Sequence, residues 1–322
     1  MNHLDLLNAV LALRFKQPGW PTILNDAGYL VHGVGVTFKL PDGDTVTPDV
    51  LASSNARNVA LLIEVKGGSG FKHDQAGRME RVTAVDLRDS AYLPITDLAS
   101  YQIAIVYVCA PDHHDTFVEA VTGRSIGTVV SFDGTRFRFG GTALADAHLQ
   151  QVWGEIEIPP DTPPVAIIPF DQESDAATIA RMLVPEVVSL LISGAGVVTV
   201  DGLLQRTHRI VHDVMQSTGS KSEWKEIRNK VVELLSDAAK RELSPWLARI
   251  PGQPMWNFKS AFPVDQTTRT RELKNLQRST QTLIARLGGS ILIHIHYHDH
   301  IAAVTTITTV RPAVRDIFLP TE

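Results

Sequence analysis

The sequence is short of the features that mark several large classes of protein. It contains one cysteine in 322 residues, which excludes a disulfide framework. No apolar run approaches the roughly 18 residues that a membrane-spanning helix needs. The opening segment MNHLDLLNAVLALRF has neither the basic start nor the cleavage site of a signal peptide. We therefore expect a cytoplasmic protein that does not associate with membranes.

The chain also lacks an excess of positive charge. Its net charge of −5 argues against a protein coated with basic surface for nucleic acid. The charge is unevenly distributed, however, because residues 216–322 carry 15 Lys and Arg against 10 Asp and Glu. If the protein binds nucleic acid, we expect the C-terminal third to hold part of the phosphate backbone.

Three widespread enzyme signatures are missing. The sequence has no G-x-G-x-x-G dinucleotide fingerprint, no Walker A phosphate loop and no G-x-S-x-G nucleophile elbow. These absences argue against enzymes that depend on those three motifs.

The length is enough for two domains, and a proline-rich segment divides the chain. Four prolines fall within the six residues 159–164, which is typical of an extended, semi-rigid linker. Strand and helix patterns alternate through residues 1–158, so we expect an α/β domain with a mixed central sheet flanked by helices. Residues 165–322 predict a mainly helical domain that ends in a short pair of strands.

The stretch from Thr47 to Arg78 contains the most informative pattern. An apolar run at 59–63 ends in Glu64-Val65-Lys66, as expected for a buried strand that reaches the edge of a sheet. Side chains alternate along a strand, so Glu64 and Lys66 should lie on the same face. A hairpin with the preceding strand, which we expect to carry Asp49, would bring a second carboxylate beside them.

This predicted cluster suits metal-assisted phosphodiester hydrolysis. The carboxylates of Asp49 and Glu64, with the backbone carbonyl of Val65, are oxygen ligands of the kind that Mg²⁺ prefers. Such a cation polarises a phosphate and acidifies a water, and a nearby ammonium such as that of Lys66 orients the water or stabilises developing charge. A solvated strand end with an ordinary ion pair is the alternative interpretation of these residues.

The wider motif resembles a known family. Pro48-Asp49, then Glu64-Val65-Lys66, then Gln75 and Arg78 on the following helix are similar to the PD-(D/E)xK nuclease superfamily, which has the restriction-endonuclease-like fold. The Gln-x-x-Arg pair looks most like the RecB-like and resolvase-like branches. The order of a helix, three strands, a helix and a strand fits this resemblance.

The resemblance implies a role for each matching residue. Asp49 and Glu64, with the Val65 carbonyl, would hold Mg²⁺ or Mn²⁺, Lys66 would assist the attacking water, and Gln75 would orient the lysine, the water or the phosphate. On the residue pattern alone, Lys72, in a glycine-rich loop, and Arg78 are candidates for phosphate contacts.

A second, weaker resemblance concerns the C-terminal domain. Ser220 to Glu223 forms a capping box that begins a helix with Trp224, Ile227, Val231, Leu234, Leu235 and Ala238 on its buried face. Lys221, Lys225 and Arg228 lie off that face and are candidate nucleic-acid contacts. A helix, a short turn and a basic helix after a short strand are similar to winged-helix domains, and a plain helical bundle remains an equal alternative.

Two further candidates stay open. Asp5 on the first helix is either a third metal ligand or an acid favoured by the helix dipole. His294, His296, His298 and His300 alternate along one face of a predicted strand, either for a metal or as a pH-sensitive or interface strand.

The expected function is therefore a Mg²⁺- or Mn²⁺-dependent nuclease acting on DNA, in restriction, antiviral defence, repair or mobile-element processing. The alternative is a catalytically silent nuclease-like scaffold for DNA binding or protein assembly. The sequence leaves open whether the protein forms a homodimer and whether partner proteins gate its activity.

Overall fold

The fold is described from a computed structural model of the chain. The described residues are 1–91, 93–124, 127–162, 165–212, 221–259, 266–289, 291–298 and 301–308, with the backbone alone for 221–223, 266, 291–298 and 301–308. Contacts divide the chain into two compact units. The first is Met1–Ile168 with Ile210–Trp224, and the second is Pro169–Arg209 with Lys225–Glu322. The first unit thus continues past the predicted linker.

A six-stranded mixed sheet forms the centre of the first unit. Its strands are β1 (Leu30–Val34), β4 (Val50–Ser54), β5 (Val59–Lys66), β6 (Gln102–Cys109), β7 (Thr128–Phe132) and β8 (Phe137–Gly141). They lie in the order β1-β4-β5-β6-β7-β8. Only the β5–β6 and β6–β7 pairs are parallel. β5 and β6 are central and almost continuously apolar, as strands covered on both faces must be.

Helices flank this sheet, and the prediction of a mixed α/β domain is confirmed. They are α1 (His3–Ala12), α2 (Ile23–Asp26), α3 (His73–Glu80), α4 (Ala84–Asp89), α5 (His114–Thr122) and α6 (Ala147–Gly154). α3 buries Ala76 and Met79 in a core that also contains Leu62 of β5 and Tyr107 of β6. Residues two apart on a strand share a face, so Glu64 and Lys66 lie on the same face of β5 as Leu62, which packs in the core shared with α3.

Three predicted elements have different bounds. The sequence pattern of residues 29–40 predicts one strand, but the structure has β1 and the short β2 (Phe38–Lys39), which pairs with β3 (Thr45–Val46). The sequence pattern from Gln75 to Asp89 predicts one helix, but the structure has two, because Thr83 and Asp86 form a capping box that begins α4. Asp49 was expected within a strand but is the residue before β4.

The remaining elements include five strands and several helices. They are α7 (Ala176–Ile192), β9 (Val197–Thr199), α8 (Val200–Thr207), α9 (Lys221–Lys240), β10 (Leu247–Arg249), β11 (Met255–Phe258), α10 (Gln266–Arg286), β12 (Ile291–His298) and β13 (Ile301–Thr308). β9, β10 and β11 make an antiparallel sheet in the order β10-β11-β9, and β12 pairs with β13.

In this part of the chain, the sequence predicted the buried face of α9 correctly but not the continuity of α7. All six apolar residues predicted to face inward on α9 are buried. Pro185 predicts a kink or a division of this helix, but α7 continues through it from Ala176 to Ile192. The capping box at 220–223 lies outside the residues whose side chains are described. Among the described residues, no helix combines the length and the apolar character required to cross a bilayer.

Candidate functional site

The hairpin of β4 and β5 brings Asp49 to the carboxyl end of β5. Val50 pairs with Ile63 across the two antiparallel strands, so Asp49 comes level with Glu64. The Asp49 Oδ2 atom accepts a hydrogen bond of 2.6 Å from the backbone N–H of Val65. This bond anchors the Asp49 side chain to the strand that carries the other predicted site residues.

Lys66 connects the site residues of β5 and α3. Its Nζ donates hydrogen bonds to Glu64 Oε1 at 2.5 Å and to Gln75 Oε1 at 3.1 Å. The side chains of Lys66 and Glu64 are 13% and 5% exposed, so these charges are largely removed from water. The structure therefore brings Asp49, Glu64, Lys66 and Gln75 together, as the sequence predicted.

The carboxyl group of Glu64 is electrostatically unusual. Burial, together with the nearby negative charge of Asp49, raises its pKa to about 7, although Lys66 and Gln75 act to lower it. Its Oε2 atom is buried and has no hydrogen-bond partner among the described residues. Because a buried, unpartnered carboxylate oxygen is costly, this atom is suited to receive a ligand.

The donor set fits a hard divalent cation. Asp49 and Glu64 supply carboxylate oxygens, and Glu64 Oε2 is available. The N–H and C=O of one strand residue point to the same side, so the Val65 carbonyl lies on the side where its N–H meets Asp49. Few protein oxygens are needed, because Mg²⁺ keeps several waters. Within the described part of the chain, no three His, Cys, Asp or Glu side chains form a metal-binding group.

A cavity of about 640 Å³ adjoins the site. Its lining residues lie in or directly before the first turns of α3 and are Lys72, His73, Asp74, Gln75 and Arg78. The predicted i, i+3 relation of Gln75 and Arg78 therefore places both beside one space. Gln75 connects this space to Lys66, so a phosphate in the cavity would lie close to the ammonium group.

Sequence reasoning missed His3. Its Nε2 atom lies 3.8 Å from Asp49 Oδ1, because the start of α1 approaches the end of β5. The approach requires a glycine at position 67, where a Cβ would lie only 2.5 Å from the His3 backbone nitrogen. No local sequence pattern predicts a contact between His3 and Asp49, which lie far apart in the chain. The sequence pattern instead predicts that Gly67 belongs to a mobile loop.

Asp5 has a structural role in the same helix. Its side chain accepts a hydrogen bond from the backbone N–H of Asn2, while Asn2 Oδ1 accepts one from the Asp5 N–H. These bonds form the capping box that begins α1. This arrangement accounts for an acid at that position without a metal.

The candidate nucleic-acid contacts on α9 differ in exposure and in ion pairing. Lys225 is exposed, whereas Arg228 forms an ion pair with Asp201. The Lys221 side chain lies outside the described residues, as do His300 and the side chains of His294, His296 and His298. The strand predicted for these histidines corresponds to β12.

Comparison with known proteins gives a match at the level of a protein family. A family model described as the MJECL32 domain matches residues 2–120, a little over a third of the chain. The matched range contains Asp49, Glu64, Lys66, Gln75 and Arg78, and its description names no activity. No curated protein and no solved structure gives a significant match.

Proposed function

We propose that this protein is a metal-dependent nuclease of the PD-(D/E)xK type that hydrolyses phosphodiester bonds, with DNA as the proposed substrate. The observation that carries the proposal is the convergence of Asp49, Glu64 and Lys66 at the end of β5, with Glu64 Oε2 buried and unpartnered. An ordinary surface ion pair would leave no buried oxygen in need of a partner. The order of α1, the β1-β4-β5 meander, α3 and β6 supports a nuclease-like fold.

Each residue has a distinct role in this proposal. Asp49, Glu64 and the Val65 carbonyl would hold Mg²⁺ or Mn²⁺, which when bound supplies the charge that polarises a phosphodiester and acidifies a water. The Lys66 ammonium group would orient the attacking water and stabilise the developing negative charge. Gln75 fixes the Lys66 side chain through their 3.1 Å hydrogen bond. Water then adds across one P–O bond to give a phosphate monoester and a hydroxyl.

The cavity beside α3 is the proposed place for the substrate backbone. Lys72 and Arg78 line it, and both would contact phosphates adjacent to the one that is cleaved. Gln75 connects this cavity to the Lys66 ammonium group, because it lines the cavity and accepts a hydrogen bond from Lys66. A nucleic-acid backbone that runs along α3 would therefore bring a phosphate close to Lys66.

Cleavage assays test the proposal. Purified protein is incubated with supercoiled plasmid, linear duplex and single-stranded DNA, in Mg²⁺, Mn²⁺ or EDTA. We expect metal-dependent cleavage by the wild type, a loss of about 10³-fold in Lys66→Ala, and no loss in Lys39→Ala, which removes an exposed lysine of β2. Inactivity of the wild type on every substrate would favour the scaffold alternative, and full activity in Lys66→Ala would contradict the site assignment.

We further propose that α7, β9, α8, α9, β10 and β11 form a winged-helix domain that binds DNA. The support is their order, a helix, a strand, two helices and a hairpin, with β11 between β9 and β10 in the sheet. In this arrangement Lys221 and Lys225, in the first turns of α9, would face the nucleic acid. The pair of Arg228 with Asp201 connects α9 to α8.

The cellular setting is part of the same proposal. The single cysteine, which is buried, agrees with a cytoplasmic location. Restriction, antiviral defence, repair and mobile-element processing all use nucleases of this kind, and the plasmid, linear and single-stranded substrates above separate internal cleavage from cleavage at ends. Cleavage of both strands of a duplex would favour a homodimer.

A further inference from the structure

The segment between β5 and α3 has few contacts of its own. A Cβ added at Gly68 or at Gly70 would meet no atom within 4 Å, and residues 68–70 are exposed, so the middle of this loop does not pack against the core. Gly67 is held against the start of α1, but the residues that follow are not fixed in this way. The position of the first turn of α3 must therefore be set at the far end of the loop.

Phe71 is the residue at that end. Its ring centroid lies 5.2 Å from that of Tyr107 and 5.6 Å from that of Phe117, in tilted and edge-to-face geometry. It also lies 5.0 Å from the ring of His73, the first residue of α3. Aromatic pairs in these geometries add stability beyond the burial of their area. Phe71 thus anchors the start of α3 on two core residues.

The anchor lies next to the site residues of β5. Tyr107 on β6 pairs in register with Glu64 on β5, so the two side chains lie on the same face of adjacent strands. Phe71 packs on Tyr107, and four residues later Gln75 accepts the hydrogen bond from Lys66. A displacement of the Phe71 ring would therefore move Gln75 relative to Lys66.

We propose that Phe71 is a positioning residue that holds the first turn of α3 so that Gln75 meets Lys66. It touches no reacting atom and acts through Gln75. This inference rests on the proposed nuclease function for its kinetic test but not for its structural one. The proposal predicts that removing the Phe71 ring loosens α3 and lowers turnover. Removing Gln75 should lower turnover for the same reason, because both changes disturb the hydrogen bond between Gln75 and Lys66.

The kinetic test compares two phenylalanines. Phe71→Ala should lower kcat about tenfold with KM nearly unchanged, because a reacting group displaced by a fraction of an ångström costs rate rather than affinity. Phe71→Leu should recover most of that loss. The matched control is Phe139→Ala on β8. Phe139 is also half-buried, and its ring packs edge-to-face on the Trp153 ring, with 5.6 Å between the centroids. The control should lose stability without losing kcat.

A double-mutant cycle separates positioning from general destabilisation. In a Gln75→Ala background, Phe71→Ala should change kcat by less than about twofold, because residues that act through one interaction are not additive. Full additivity of the two losses would overturn the proposal. So would equal losses of kcat in Phe71→Ala and Phe139→Ala when the wild type is active.

Hydrogen exchange tests the proposal whether or not the protein cleaves DNA. Phe71→Ala should speed exchange in α3, including the Ala76 amide that donates to the Lys72 carbonyl, and should leave β5 protected. Phe139→Ala should not change exchange in α3. Unchanged α3 exchange in Phe71→Ala would overturn the positioning role, whereas an inactive wild type with faster α3 exchange in the variant would contradict only the nuclease function.

Discussion

Two clusters of charged side chains, in different units of the molecule, have opposite electrostatics. One contains Asp49, Glu64 and Lys66, and the other contains Asp237 and Glu242 with Arg286 and Arg241. At the end of β5, in the first unit, the pKa of Glu64 is raised to about 7 by burial and by Asp49. In the second unit, Glu242 lies beside Asp237 and Arg286, and hydrogen bonds from Arg286 lower the pKa of Glu242.

Two causes explain the difference: Glu64 is buried whereas Glu242 is only partly buried, and the two cations differ in geometry. Arg286 donates to both oxygens of Glu242, at 2.6 and 3.0 Å, and to Asp237 Oδ2 at 2.7 Å. Lys66 donates to only one oxygen of Glu64. A guanidinium matches two carboxylate oxygens at once, whereas an ammonium is a point charge. The cluster around Arg286 is therefore a satisfied ion pair, and the cluster around Lys66 keeps one oxygen for a ligand.

The largest expected difference lies between an acid of the β5 cluster and a surface-paired acid of the second unit. Asp49→Asn removes a carboxylate that meets the end of β5, and we expect cleavage to fall about 10³-fold because metal binding and charge placement both depend on it. Asp201→Asn removes the acid paired with Arg228 and should change cleavage less than about twofold at saturating DNA, since surface pairs are weak. Initial rates under single-turnover conditions measure both. Equal losses would mean that Asp49 has no special place in the chemistry.

Stability should respond with opposite signs in the two clusters. A folded-state pKa raised from about 4.5 to 7 lowers the free energy of unfolding as pH rises through that interval, by about 3 kcal/mol at pH 8. Glu64→Gln should therefore stabilise the metal-free protein at pH 8 and have little effect near pH 4. Chemical denaturation in EDTA at the two pH values measures this change.

Glu242→Gln provides the opposite case. Because Arg286 lowers its pKa in the folded protein, the charged form of Glu242 contributes stability above the unfolded-state pKa, and this contribution is lost as pH falls through the folded-state pKa. The substitution should destabilise the protein at pH 8. If both Gln variants shifted stability in the same direction, the contrast between the clusters would not hold.

The sequence predicted which residues meet at the end of β5 better than it predicted the bounds of the surrounding elements. Alternation along a strand is enough to place Glu64 beside Lys66, and a hairpin is enough to add Asp49. His3 could not be found in this way, because its approach to Asp49 depends on a contact between α1 and Gly67 that no local pattern encodes. Phe71 was equally hidden, since its partners Tyr107 and Phe117 belong to later elements.

Boundaries of elements failed for a related reason. The residues between Tyr29 and Leu40 suit a strand throughout, but Gly35 adopts a left-handed backbone conformation that ends β1. Residues 75–89 favour one continuous helix by their helix propensity. The local hydrogen bonds between Thr83 and Asp86 outweigh that propensity and start a new helix. Such competition between a local cap and a longer helix is decided by a few bonds.

The smallest expected effect concerns DNA binding by the first turns of α9. Lys225→Glu replaces an exposed lysine that makes no ion pair with any described residue, whereas Lys240→Glu makes the same change at the exposed far end of the helix. If Lys225 contacts a phosphate, its variant should bind DNA several-fold more weakly and reduce the slope of log affinity against log salt by about 1, because one counterion fewer is released. Lys240→Glu should leave the slope unchanged. Fluorescence anisotropy across a salt series measures both, and equal slopes in the two variants would mean that α9 has no oriented contact with the DNA backbone.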